Sequence, residues 1–237
     1  MVARAGSPCY DSEELKMPVH LQREIENLKK KLLTLSARVE TAVREATLSI
    51  ENRDYELAQR IIQNDPRIDS MEVGVEEDCL KILALHQPVA IDLRFIVAVL
   101  KINNDLERIG DLAVNIAERS VFLSKHPPVG FSLGLIGMAE QAQDMLKHAL
   151  DALIGLSSGL AQEVCASDDA IDAMNRQMYI KIQDAIRRNP EQLESLIHLL
   201  SVSRHLERIA DHATNIAEDV IYMVEGRIVR HHTEDYK

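Results

Sequence analysis

Residues 106–118 read LERIGDLAVNIAE and residues 206–218 read LERIADHATNIAE. Ten of the thirteen positions are identical at an offset of 100. Helix propensity does not force such agreement, because many residues serve a helical position equally well. The pair therefore marks an internal duplication. A weaker echo precedes it, Asp65-Pro-Arg-Ile-Asp69 against Asp168-Asp-Ala-Ile-Asp172, at an offset of 103. A turn or loop must differ in length between the copies. Within the strong copies, Leu106, Ile109, Ala113 and Ile116 recur at helical spacing and form one apolar seam.

Working outward, the helical period continues on both sides. Leu21, Ile25, Leu28, Leu32, Leu35, Val39, Val43 and Ala46 recur every three or four positions, which predicts a long helix over 21–62. Asn64-Asp65-Pro66 is expected to end it, with Asp65 as N-cap and Pro66 opening a second helix. That helix runs to Pro88 with Ile68, Met71, Val75, Leu80 and Leu83 inward, and a third covers 89–123. In the second half the expected helices are 133–165, 167–188 with Ser167 as N-cap, and 191–229. The fold class is all-α, two tandem three-helix bundles. The organisation is a disordered leader over 1–16, bundles over 17–126 and 127–230, and a tail over 231–237.

Composition supports this and excludes much else. The 237 residues are 46% hydrophobic and only 3% aromatic, with nine Gly and seven Pro, so long elements are uninterrupted and a loop-rich β-sandwich is disfavoured. The net charge of −11 opposes binding to a phosphate backbone, so no nucleic-acid partner is expected. No apolar run reaches the roughly 18 residues of a membrane span. Asp11, Glu13 and Glu14 argue against a signal peptide. Cys9, Cys79 and Cys165 lie far apart without a CxxC spacing, so Cys79 and Cys165 read as small core residues. A cytoplasmic location is expected.

The chemistry-bearing pattern is acidic. Glu107, Asp111, Asn115 and Glu118 fall on one stripe, opposite the apolar seam, and Glu207, Asp211, Asn215 and Glu218 repeat it. A solvated face is the bland explanation. Yet carboxylates at i and i+4 repel, and both halves make that choice. Each half also has a second pair on the preceding helix, Asp65/Asp69 and Asp168/Asp172. In a bundle of antiparallel neighbours the pairs can converge on one groove, suited to hard, oxygen-preferring cations. Taken singly, Asp65 could be only an N-cap and Asp168 only a first-turn residue. A ferritin-type dioxygen site is disfavoured because Gly110 and Ala210, not His, stand three residues after Glu107 and Glu207. No phosphate loop or nucleophile elbow is present. His212 points away from the stripe and is not assigned as a ligand, while Arg108 and Arg208 flank it.

These residues resemble the PhoU family of phosphate-uptake regulators. The doubled stretch carries that family's E(D)xxxD signature, and 85–94 (LHQPVAIDLR) and 20–28 (HLQREIENL) are also similar to it. The likeness spans about 18–228; residues 1–16 have no counterpart, and Gly110 becomes Ala210 in the second copy. The resemblance implies a non-enzymatic, cytoplasmic adaptor that represses phosphate uptake and phosphate-starvation genes. Its implied partners are the ATPase subunit of a phosphate ABC transporter, a phosphate-sensing histidine kinase and a second copy in a homodimer; it meets the membrane only through them. It further implies multinuclear clusters of divalent or trivalent metal ions (Fe, Mn, Mg, Ca or Zn). The implied ligands are Asp65, Asp69, Glu107 and Asp111, then Asp168, Asp172, Glu207 and Asp211. Two rivals stand beside it: an accessory protein of another phosphate or metal transporter, and a metal-free helical adaptor. A metal-dependent hydrolase lacks a general base on a walled pocket.

Overall fold

The eight apolar positions expected to line the first helix, Leu21 to Ala46, are all buried. The helix they define, α1, spans Val19–Asn52. It is followed by α2 (Tyr55–His86), α3 (Ala90–Ser124), α4 (Leu135–Gly155), α5 (Ser158–Arg188), a 3₁₀ turn (Pro190–Gln192) and α6 (Leu193–Glu225). This is a computed structural model; it describes residues 19–130 and 133–229. The leader over 1–16 and the tail over 231–237 lie outside the described residues. No strand occurs among the described residues, and the all-α, two-bundle class holds.

Two expected breaks are corrected. The first bundle turns at Arg53-Asp54, not at Asn64-Asp65-Pro66. Arg53 takes the left-handed conformation at φ 54°, and its guanidinium bonds the Leu123 and His126 carbonyls at the end of α3. The Asp54 carboxylate then accepts from Leu57 N at 2.9 Å, satisfying one of the four orphan donors that begin a helix. Pro66 lies inside α2. It is exposed, and the local loss is carried by the packing of the rest of α2.

The second bundle turns in the same way 103 residues later. Leu156 is left-handed at φ 47°, and Ser157 caps α5 by accepting from Leu160 N at 3.3 Å. Asp54 N donates to the Ser49 carbonyl and Ser157 N to the Ala152 carbonyl, so one turn motif is used twice. The expected helix over 133–165 is therefore split, and Ser167 is no cap; its hydroxyl donates to the Val164 carbonyl within α5. Leu80 is likewise corrected: it is exposed, while Cys79 and Ile82 turn inward.

Each bundle packs its three helices against one another, and α3 and α6 meet between them. Contacts there pair Lys101 with Asp219, Asp105 with His212 and Phe122 with His198. Numbers that rise on α3 fall on α6, so the two repeats are joined antiparallel along their strongest copies. Ile102, Leu106, Ile109, Ala113 and Ile116 of α3, with Leu206, Ile209, Ala213 and Ile216 of α6, are fully buried in one continuous core. Cys79 lies in that core and Cys165 is half-buried. Burial pushes both thiols up to about 12, which leaves them unreactive at neutral pH.

Candidate metal centres

Because α2 breaks at residue 54 rather than 64, Asp65 and Asp69 are mid-helix side chains, one turn apart on α2. Capping cannot account for Asp65. The same holds for Asp168 and Asp172 within α5, so the first-turn explanation of Asp168 also falls. Each α2 or α5 pair faces its partner pair on α3 or α6. The electrostatics register that convergence: the Asp65 carboxyl is raised first by burial, then by Asp69 and Asp111. Glu107 is raised by burial and Asp111, with Glu72 and Asp69 adding and Arg108 opposing. Like charges held together in a partly dry site disfavour their ionised forms.

The second centre behaves alike. Asp211 lies open to solvent at its edge, yet partial desolvation by the flanking helices, then Glu207, Asp168 and Asp172, push its carboxyl up to about 6. Asp168 is raised by burial, opposed by a hydrogen bond from Thr214 Oγ1 at 3.2 Å. Along the two stripes Glu107, Asp111 and Glu207 are half-buried, while Glu118 and Asp211 are exposed.

All eight expected residues thus fall into two groups of four, one per bundle. Sequence reasoning missed a ninth carboxylate, Glu72. It is half-buried, raised by burial, Glu76 and Asp69, and held by Asn103, whose Nδ2 donates to Glu72 Oε1 at 2.9 Å. The signal for it was present: Asp65, Asp69 and Glu72 share one face at i, i+4 and i+7. Arg108 pairs with Glu107 at 3.5 Å and approaches Asp111 at 3.9 Å, and Arg176 pairs with Asp172 at 3.5 Å. His212 donates or accepts at Asp105 Oδ1, 2.8 Å away, and belongs to the α3–α6 seam.

As the side chains stand, no three His, Cys, Asp or Glu groups among the described residues converge tightly enough to hold a metal ion. The donor chemistry nevertheless fits a hard cation. Every candidate is a carboxylate, the groups repel one another, and Asp65 Oδ1 is fully buried with no hydrogen-bond partner. Rotation of exposed Asp69 and of half-buried Glu107 and Asp111 would be needed to close ligands around one ion.

Residues 32–120 and 135–220 each match the model of the PhoU domain. The chain belongs to the PhoU family. It is 37% identical over 211 residues to a phosphate-specific transport system accessory protein PhoU homolog of Aquifex aeolicus, covering 89% of this chain and 96% of that relative. It is 32% identical over 225 residues to the phosphate-specific transport system accessory protein PhoU of Serratia marcescens, 92% of each. Among solved structures, PhoU from Pseudomonas aeruginosa superposes with a TM-score of 0.85 at 34% identity, over 87% of this chain and 100% of that one. The phosphate transport system regulatory protein PhoU from Streptococcus pneumoniae reaches 0.81 at 28% identity, over 88% and 99%. The two domain matches fall on the two halves of the duplication, and none of the six long helices is long and apolar enough to cross a membrane.

Proposed function

We propose that this chain is an accessory regulator of phosphate uptake, a non-enzymatic cytoplasmic adaptor. It docks on the ATPase subunit of a phosphate ABC transporter and on a phosphate-sensing histidine kinase, acts negatively on both, and works as a homodimer. The observation that carries the reading is the match of both halves to the PhoU domain, together with relatives of near-equal length that bear the accessory name. The long, rigid helices offer extended docking faces.

The two acidic centres bind metal ions in this reading. Asp65, Asp69, Glu107 and Asp111 would hold cations in the first bundle, and Asp168, Asp172, Glu207 and Asp211 in the second. A bound cation supplies charge neutralisation; the chain's own part is to gather carboxylates on two rigid helices and keep them partly dry. Relief of that repulsion would stiffen α2 against α3 and α5 against α6, which links occupancy to docking.

The experiment is a titration of the purified ATPase subunit and kinase against this chain, with and without Mn²⁺. Binding of both partners by the parent is expected. Changing Glu107 and Asp111 to Ala is expected to weaken both affinities while the helical circular dichroism persists. A parent that binds neither partner refutes the adaptor. Unchanged affinities in the variant refute metal-linked docking and leave a metal-free adaptor.

A further inference from the structure

A groove of about 510 Å³ runs between the first turns of α1 and the last turns of α2, lined by Arg23, Glu24, Lys30, Lys31, Asp78 and Lys81. Both of its carboxylates are already engaged. Asp78 pairs with Lys31 at 2.6 Å, and Glu24 with Lys81 at 3.1 Å and with His86 at 3.0 Å. Arg23 and Lys30 are exposed and have no acidic partner among the described residues. Four cations against two anions make this a positive groove in a chain whose net charge is −11.

The α1 wall of the groove belongs to the first bundle alone. The turns at Arg53-Asp54 and Leu156-Ser157 align the bundles, so Leu135, which opens α4, corresponds to Leu32 of α1. Residues 19–31 of α1 therefore have no counterpart in α4, and the first PhoU domain match likewise begins at residue 32. The chain also carries an anion within reach. Asp11, Glu13 and Glu14 fall within one short run, and only Lys16 is charged between them and α1. Extended backbone covers about 3.3 Å per residue and a helix about 1.5 Å. Measured from Val19, Glu14 can reach about 17 Å and Asp11 about 26 Å, whereas Arg23 lies about 6 Å and Lys30 about 16 Å along α1. Pro18 disfavours helical backbone at Met17, which favours a change of direction where α1 begins.

We propose that the leader doubles back along α1 and that Asp11, Glu13 and Glu14 occupy this groove, pairing with Arg23, Lys30 and the lysines beside them. A basic surface is thereby covered by the chain's own acidic segment. Exposed ion pairs contribute little singly. The short tether, however, holds the segment at a high effective concentration, and three pairs together are worth about tenfold in the docked-to-released ratio at low salt.

The test is zero-length carbodiimide coupling of the full chain, which joins a carboxylate to a lysine amine where the two are in ion-pair contact, with the products mapped by mass spectrometry. The Asp78–Lys31 and Glu24–Lys81 pairs report that the coupling works. At low salt, residues 11–14 are expected to couple to Lys30, Lys31 or Lys81 within one chain. At about 1 M salt, where the screening length is about 3 Å, that coupling should fall about tenfold. Reversing the unpaired cations, Arg23→Glu with Lys30→Glu, should cut coupling of the leader to Lys31 and Lys81 by a similar factor. Both side chains are exposed, and far-UV circular dichroism checks the fold; if the variant unfolds, the salt series on the parent decides. No leader coupling while Asp78 still joins Lys31 would overturn the proposal. So would leader coupling spread evenly to distant lysines such as Lys125 and Lys147, or coupling that neither salt nor the reversal reduces. Leader coupling found only between copies, in a mixture of isotope-labelled and unlabelled chains, would overturn it in favour of an exchange between two molecules.

Discussion

Gly110 and Ala210 occupy the same place in the two copies, and exchanging them tests how closely α2 and α3 are packed. A methyl built at Gly110 would lie 3.2 Å from Ile68 Cγ2 and 3.6 Å from its Cδ1. The first contact is tighter than ordinary packing, so Ile68 must yield by a few tenths of an ångström. Against that, Gly in a helix interior costs about 0.5–1 kcal/mol relative to Ala. Ile68 and Gly110 both border a groove of about 390 Å³, so Ile68 has room to move and the strain stays below the ~1–3 kcal/mol of true overpacking. Gly110→Ala is therefore expected to stabilise by about 0.5 kcal/mol, or about 1–2 °C for a chain this long. Ala210 is fully buried, so Ala210→Gly removes a packed methyl as well as adding backbone freedom. About 1.5 kcal/mol and ~3–6 °C of destabilisation follow. Thermal and urea unfolding followed by circular dichroism at 222 nm reads both. A fall of more than about 3 °C in Gly110→Ala would refute the reasoning and show Ile68 to be immovable.

The remaining expectations concern charge and caps. Asp211 is raised to about 6 in the folded chain, so the fold binds its proton more tightly and that contribution is lost as pH rises through about 6. Asp211→Asn should raise the melting temperature of metal-free protein at pH 7.5 and lose that gain below about pH 4; a lower melting temperature at pH 7.5 would contradict it. His205 runs the other way: burial, then Arg119, Arg208 and Arg204, hold it down at about 4. Stability is then lost as pH falls from about 6.5 through about 4. His205→Gln should flatten that limb of the melting-temperature profile, and an unchanged limb would count against it. Asp54→Ala removes the α2 cap and should cost about 1 kcal/mol, with Ser157→Ala costing a similar amount at α5. Urea midpoints indistinguishable from the parent's would show that these turns are held by Arg53 and the backbone alone.

Much of the fold was legible in the residues because the repeat and the apolar period are local patterns. The seam Leu106, Ile109, Ala113, Ile116 and the α1 stripe from Leu21 to Ala46 required only helical geometry and the burial of apolar surface. The acidic pairs were legible for the same reason, since i, i+4 spacing places side chains on one face wherever the helix lies. Helix breaks were less legible. Pro66 is a strong local stop, but extended packing of α2 outweighed it, and the chain turned at Arg53, whose guanidinium finds carbonyls 70 and 73 residues away.

What tertiary structure alone decided is which groups answer one another across helices. That Thr214 reaches Asp168 while Val114 leaves Asp65 Oδ1 without a partner, or that Glu72 joins the first centre and His212 the α3–α6 seam, depends on the register between helices distant in sequence. Register is set by side-chain packing across the whole core, a collective quantity that no local spacing encodes. Periodicity told which face each carboxylate occupies; only the packed bundles told what stands opposite it.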